Sequence, residues 1–266
     1  MQKRALASAI ALLMVFGLSG ALARAEDQAD QILRASHDYV SSHSVEIQQT
    51  IEQTMHLVTD GKPAGSPQTT KQTSVLEIDA GKGIMRLTTR GQDGKDLVVI
   101  RKGDRVAMKI GSGPWTVPTG PYAQMREQMA NPFACPLPKS TEKDSPRWKI
   151  VGQESFDGQE TTVLETVGDT ANAYALQRMR EGIASMFTDP KVRPTIEVLA
   201  YKSRHWIGKD SQRRLRVEQT SHQKLTMPAA GQAVIDSTSK TTALYRRYDR
   251  IVIDVPEEAR RILEAS

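Results

Sequence analysis

The sequence predicts a mainly β protein of the α+β kind, an open half-barrel of about ten antiparallel strands with helices covering its concave side. Three observations predict it. Long stretches alternate apolar and polar residues with a period of two, short glycine-containing turns separate them, and strands and helices do not alternate as βαβ units would require. With 266 residues, 38% hydrophobic and 25% charged, the chain has enough apolar material for a sizeable core and too much for wholesale disorder.

The elements follow in order. Lys3 and Arg4 precede an uncharged apolar run from Ala5 to Ala23, and Ala23-Arg24-Ala25 supplies the small residues that signal peptidase requires. Residues 1–25 are thus expected to be a signal peptide cleaved after Ala25, sending residues 26–266 to the periplasm as one domain. These 25 residues carry three cations and no acid, so the remainder has a net charge of about +2 rather than the +5 of the whole chain. Such a balance gives no support to a nucleic-acid partner.

Glu26 to Ser42 reads as a helix, with Ile32, Leu33, Tyr39 and Val40 near helical spacing. From Val45 the period becomes two. Val45, Ile47, Ile51, Met55 and Leu57 share one parity, and Glu46, Gln48, Thr50, Glu52, Thr54 and His56 share the other. A strand puts these sets on opposite faces, one apolar and one wet. Residues 60–70 read as a flexible connection. Strands are then expected at 73–79, 84–90, 96–101 and 105–110, punctuated by Gly81-Lys82-Gly83, Gly91 to Gly94 and Lys102-Gly103-Asp104.

Six of the 13 prolines fall from Pro118 to Pro146. A segment of that length and composition is expected to be a lid rather than an ordinary loop. Strands resume at 147–153 and 161–167, followed by a helix near 172–187 whose apolar stripe is Leu176, Met179, Ile183 and Met186. The last third reads as strands at 195–207, 213–222, 233–247 and 250–254, with a short helix from Pro256.

Recognisable catalytic motifs are missing. There is no Gly-x-Ser-x-Gly, His-Glu-x-x-His, phosphate-binding Gly-x-x-x-x-Gly-Lys or dinucleotide fingerprint. His37, His43, His56, His205 and His222 do not pair at metal-ligand spacing, and the single cysteine, Cys135, has no basic neighbour nearer than Lys139. Neither a cofactor nor a metal is expected. The inward positions are Val, Ile, Leu and Met, and only 13 residues are aromatic. A curved sheet so lined either packs a dry core or stays partly unfilled and accepts acyl chains; the sequence leaves both open. Lys202, Arg204, Arg214 and Arg216 read as an outward basic patch on one hairpin. That patch is either a solvated face or a contact for an anionic membrane or acidic partner.

Three stretches carry a family resemblance. Ala29-Asp30-Gln31-Ile32-Leu33, with Tyr39 and the strand from Val45, is one. The second is Arg204-His205-Trp206-Ile207-Gly208-Lys209-Asp210 leading to Arg214-Leu215-Arg216-Val217-Glu218, and the third is Tyr248-Asp249-Arg250-Ile251-Val252-Ile253-Asp254-Val255-Pro256. They resemble the opening helix and strand, the tryptophan-containing hairpin and the closing strand of the outer-membrane lipoprotein carrier superfamily (LolA, LolB, LppX and sensor domains of that fold). The sequence departs from the lipoprotein members in having no attachment cysteine after the apolar run. The resemblance implies a non-catalytic protein that binds a lipid or acylated protein in envelope trafficking or sensing, with an envelope protein as a further candidate partner. Val45, Ile47, Ile51, Met55 and Leu57 would line the ligand site, with Met179, Ile183 and Met186 as lid contacts. The competing reading is a secreted hydrolase whose active site is dispersed along the chain.

Overall fold

The computed structural model describes residues 28–59, 61–91, 94–119, 146–186, 193–228 and 233–265. The expected signal segment and most of the expected lid lie outside them. A helix, α1 (28–42), opens the described chain. The first group of strands is β1 (Val45–Thr59), β2 (Lys62–Pro63), β3 (Gln68–Asp79), β4 (Ile84–Arg90), β5 (Asp96–Lys102) and β6 (Arg105–Ile110). The second group begins with β7 (Arg147–Phe156) and β8 (Gln159–Val167), continues through helix α2 (Gly168–Met186), and ends with β9 (Thr195–Gly208), β10 (Arg214–Met227) and β11 (Ala233–Arg246). A short helix, α3 (Glu257–Glu264), closes the chain.

All eleven strands join one antiparallel sheet in the order β6-β5-β4-β3-β1-β11-β10-β9-β8-β7, with β2 paired to β1. The first strand is therefore central, because the last strand returns to pair with it: Ile47 lies opposite Tyr245 on β11 and Leu76 on β3. β6 and β7 stand at opposite ends, so the sheet is not closed into a barrel.

Alternation divides the sheet into two faces. The inner face carries Val45 and Ile47 from β1, Ile78 from β3, Val217 from β10 and Ala243 from β11, all packed against Val40 and Tyr39 of α1. At its other end α1 seats Ala29 and Leu33 on Trp148, Leu164 and Ile207 of β7, β8 and β9. Its buried residues Ala29, Leu33, Ser36 and Val40 recur every three or four positions, the spacing that gives a helix one apolar stripe.

Three features differ from expectation. Residues 250–254 do not join the sheet. Ile251, Ile253 and Val255 instead pack across the outer face of β4–β6 with Ile84, Ile100 and Ala107, and the Ile253 N–H donates to Asp79 Oδ2 at 3.3 Å. The alternation of this segment reflects packing over a sheet rather than pairing within one. α3 adds Ala259 and Leu263 to the same cluster, so it covers the outer face while α1 covers the inner one. The long strands also run further than their apolar alternation suggests: β3 begins at Gln68 and β10 continues to Met227. Gln, Thr and Lys from Gln68 to Gln72 carry the first extension, and a mixed run of Gln, Lys, Leu, Thr and Met from Gln223 to Met227 carries the second; such residues fit a pleated surface that is half open to water.

α2 begins where β8 ends, at Gly168, whose φ of +52° is a conformation open to glycine at little cost. The helix packs chiefly on β9. Its small residues Ala171 and Ala175 are buried, and Asn172 Oδ1 accepts the Tyr201 N–H at 2.7 Å. That contact satisfies a backbone donor at a part of β9 beyond its pairing with β8.

Candidate functional site

The register of the four long strands resolves the inner face into rows. The row nearest α1 holds Gln49, Ala243, Val217 and His205, and much of it is sealed into the core. Next come Ile51, Thr241, Gln219 and Ser203, then Gln53, Ser239, Ser221 and Tyr201, then Met55, Ser237, Gln223 and Val198. The last of these rows is Leu57, Ile235, Leu225 and Ile196. The face therefore runs from the seat of α1, two apolar clusters with His205 and Arg214 buried beside them, through a band of hydroxyls and amides, to an apolar row at the far end of the strands. Within the band two pairs of side chains meet: Gln53 Nε2 donates to Ser237 Oγ at 3.0 Å, and the Ser221 and Ser239 hydroxyls lie 2.8 Å apart, while Gln223 Oε1 is buried without a partner.

This grading corrects the expectation of a uniformly Val, Ile, Leu and Met interior. β1 itself turns Gln49 and Gln53 inward between its apolar residues, and its neighbours β10 and β11 bring Ser, Thr and Gln to the same face.

The expected lining residues separate accordingly. Val45 and Ile47 are buried beneath the C-terminal end of α1, where they are core. Ile51 and Met55 are half-buried, and Leu57 is 45% exposed, so these three belong to the part of the face beyond α1. Met179 is half-buried on α2, on the stripe of Ala171 and Ala175. Ile183 and Met186 lie in the last turns of α2, with side chains outside the described set.

The four cations of the expected basic patch also separate. Lys202 Nζ and Arg204 Nη2 lie 2.9 and 2.7 Å from Glu165 Oε2 on the outer face, with Lys149 at 3.8 Å from the other oxygen. Burial works against ionisation of Glu165, but the hydrogen bonds from Lys202 and Arg204 outweigh it and hold the carboxyl below the usual range. Arg216 is paired with Glu218 and lies over the Trp206 ring, 4.9 Å from its centroid. Arg214 is on the other face. A register shift between Arg214 and Arg216 pairs Arg214 with Ile207 and Arg216 with Trp206, so one irregular position reverses the parity of the hairpin's end. Arg214 lies under α1, 7% exposed, with its guanidinium 5.8 Å from the centroid of the Tyr245 ring. A parity count cannot foresee that reversal.

The histidines occupy different settings. His222 is hydrogen-bonded to Asp236 at 2.7 Å on the outer face, and His43 stacks on Tyr39. His205 is buried on the inner face, where its Nε2 lies 3.1 Å from Ser203 Oγ and its ring stands edge-on to Trp148. A serine beside a histidine has the elements of an activated nucleophile, but Ser203 is only 1% exposed and His205 Nδ1 has no hydrogen-bond partner. The pair thus lacks both substrate access and the group that would orient the base. Among the described residues no three His, Cys, Asp or Glu side chains converge as a metal site, and no helix is long and apolar enough to cross a membrane.

The fold and its graded inner face define an open antiparallel sheet protein with a helix seated on one end of that face. No protein-family model and no curated protein matches the chain. Among solved structures it is similar, diffusely, to the lipoprotein LppX of Mycobacterium tuberculosis, with 11% identity and a TM-score of 0.41 over 84% of this chain and 96% of that one. It is also similar to a DUF1329 family protein from Desulfovibrio piger, with 12% identity and a TM-score of 0.26 over 91% and 97% of the two chains. A structure of lipovitellin, described for its lipid–protein interactions, matches at 12% identity and a TM-score of 0.30, covering 82% of this chain and 26% of that one.

Proposed function

We propose that the protein binds a lipid or an acylated protein without catalysing a reaction, as an exported component of the periplasm. The row of Leu57, Ile235, Leu225 and Ile196 carries this reading. It is a continuous apolar strip across four strands, it lies at the end of the inner face away from α1, and it runs from Ile196, 8% exposed, to Leu57, 45% exposed. Apolar side chains lined up on an open face lower the free energy of an acyl chain laid along them, by about 25 cal/mol for each Å² taken from water. The neighbouring hydroxyl and amide band suits the polar linkage of such a molecule, which an entirely apolar trough would leave without hydrogen bonds.

Native mass spectrometry of protein purified from its own envelope, together with uptake of a fluorescent fatty acid, tests the proposal. Co-purifying lipid and saturable uptake are the expected results. Replacing Leu57 and Leu225 together by Gln should weaken uptake by about tenfold or more, since two side-chain burials are each worth roughly 1.5–3 kcal/mol when complete. Protein that is always empty and takes up no fatty acid sinks the reading.

A further inference from the structure

The middle of the α1–sheet contact is polar, and four of its polar side-chain atoms are buried without partners. Ser36 sits in the buried stripe of α1 at 0% exposure, between Leu33 and Val40, and its Oγ has no hydrogen-bond partner. On the sheet face that α1 covers, His205 Nδ1 and Arg214 Nε and Nη2 are likewise buried and unpartnered, and Arg214 is near enough to act electrostatically on both His205 and His37, the residue after Ser36. Both side chains are 7% exposed. Among the described residues no carboxylate forms an ion pair with Arg214, although its neighbours on the same hairpin, Arg213 and Arg216, each have one. Buried guanidinium groups are ordinarily paired and hydrogen-bonded, because a lone charge in a low-dielectric interior is costly.

We infer that Ser36, His205 and Arg214 form a binding site for a single anionic group, a carboxylate or a phosphate, held between α1 and the sheet. The chemistry fits the donor set. Arg214 offers two N–H directions of the fork that recognises carboxylate and phosphate oxygens. Ser36 adds a hydroxyl donor from the helix, and His205 Nδ1 can add a ring N–H if Ser203 Oγ donates to Nε2. Burial and then the Arg214 charge lower the pKa of His205, and of His37 on α1, so Arg214 supplies the positive charge. An anion there would bridge helix and sheet between the apolar contacts at the two ends of α1. It could be free in solution or be the headgroup of an amphiphile, and the two sources can be told apart.

The test uses the full chain in a buffer free of phosphate, sulfate and carboxylates, with inorganic phosphate, oleate and methyl oleate as separate probes, followed by calorimetric titration and thermal melting. Binding of phosphate, or of oleate at least about tenfold more tightly than methyl oleate, supports the site if Arg214→Met removes it. Phosphate binding identifies a free anion as the source, and discrimination between oleate and its ester identifies a headgroup. Arg214→Met retains most of the side-chain volume and removes an unpaired buried charge, so its melting temperature without added anion should match or exceed that of the parent chain. Ser36→Ala, which suits a helix interior, repeats the test with a minimal change and should weaken anion binding several-fold. Equal binding by parent and Arg214→Met, or no binding of either anion by the parent, overturns the inference. Failure of both oleate and methyl oleate to bind counts against the lipid-binding proposal alone, since phosphate still tests the anion site.

Discussion

His205 is held neutral by its surroundings: burial first, and then the Arg214 charge, push its pKa well below the ordinary histidine value. The sign of the consequence follows from linkage. Below about pH 6.5 the unfolded chain binds a proton at this position while the folded chain does not, so stability falls as the pH is lowered through that range. The slope is at most about 1.4 kcal/mol per pH unit for this residue. His37, lowered by burial and by Arg214, acts in the same direction. Urea titrations from pH 7.5 to pH 5 should show this loss for the parent chain and a shallower one for His205→Gln; an unchanged slope would mean that His205 is protonated in the fold. Tyr248 is a second residue whose role is set by burial. Burial first, with Tyr245 adding to it, pushes its hydroxyl far above the usual range, so it stays protonated and donates to the Arg214 carbonyl at 2.8 Å. Tyr248→Phe should therefore cost about 0.5–1.5 kcal/mol, measured by the same titration. Neither histidine nor tyrosine announces this role in the sequence, because the neighbours that impose it are contributed by α1, β9, β10 and β11 together.

At the scale of elements, α1 is the piece on which the inner face depends. Its four turns touch the sheet at two apolar ends, Ala29 and Leu33 against β7–β9 and Val40 against β1, β3, β10 and β11. Leu33, only 3% exposed, carries much of the first contact, and Leu33→Ala should cost about 2–5 kcal/mol. Thermal melting of that variant, with fatty-acid uptake measured in parallel, separates a seating role from a ligand contact. Lower stability with unchanged uptake is the expected pair of results, because the proposed apolar row lies at the far end of the strands. The helix and β1 were legible in the sequence for a clear physical reason: each has one buried face, and burial on one face imposes a period. Val45 and Ile47 were legible as inward-facing residues, but not as core residues, since alternation reports the face and not what covers it. Gln49 and Gln53, at the inward parity of β1, are the only part of the polar face readable from alternation; Ser, Thr and Gln at inward positions of β10 and β11 read like the outward ones. Only the register with β1 shows that they share its face.

For the whole molecule, the outer face decides how the protein meets a charged surface. Its cations are largely committed to neighbouring carboxylates: Lys202, Arg204 and Lys149 to Glu165, and Arg216 to Glu218. Arg214, which the sequence alone groups with them, faces the interior. Four cations against two carboxylates leave the patch a net charge of +2 in place of +4, and salt screens what remains, with a Debye length of about 8 Å at physiological ionic strength. Replacing Lys202, Arg204 and Arg216 by Gln should therefore leave binding to anionic vesicles unchanged near 0.15 M salt, the ionic strength of that screening estimate. Glu165→Gln is the more informative change. It removes the one carboxylate shared by three cations and leaves Lys149, Lys202 and Arg204 facing outward together. Each near-surface cation adds roughly 1 kcal/mol of attraction to an anionic bilayer, so this variant should gain vesicle binding that disappears as salt is raised. Sedimentation with phosphatidylserine-containing vesicles at low and high salt measures both effects. If the parent chain already binds and the triple Gln variant does not, the outer face is a membrane-docking surface despite its carboxylates. If Glu165→Gln gains nothing, these cations are held by contacts other than Glu165.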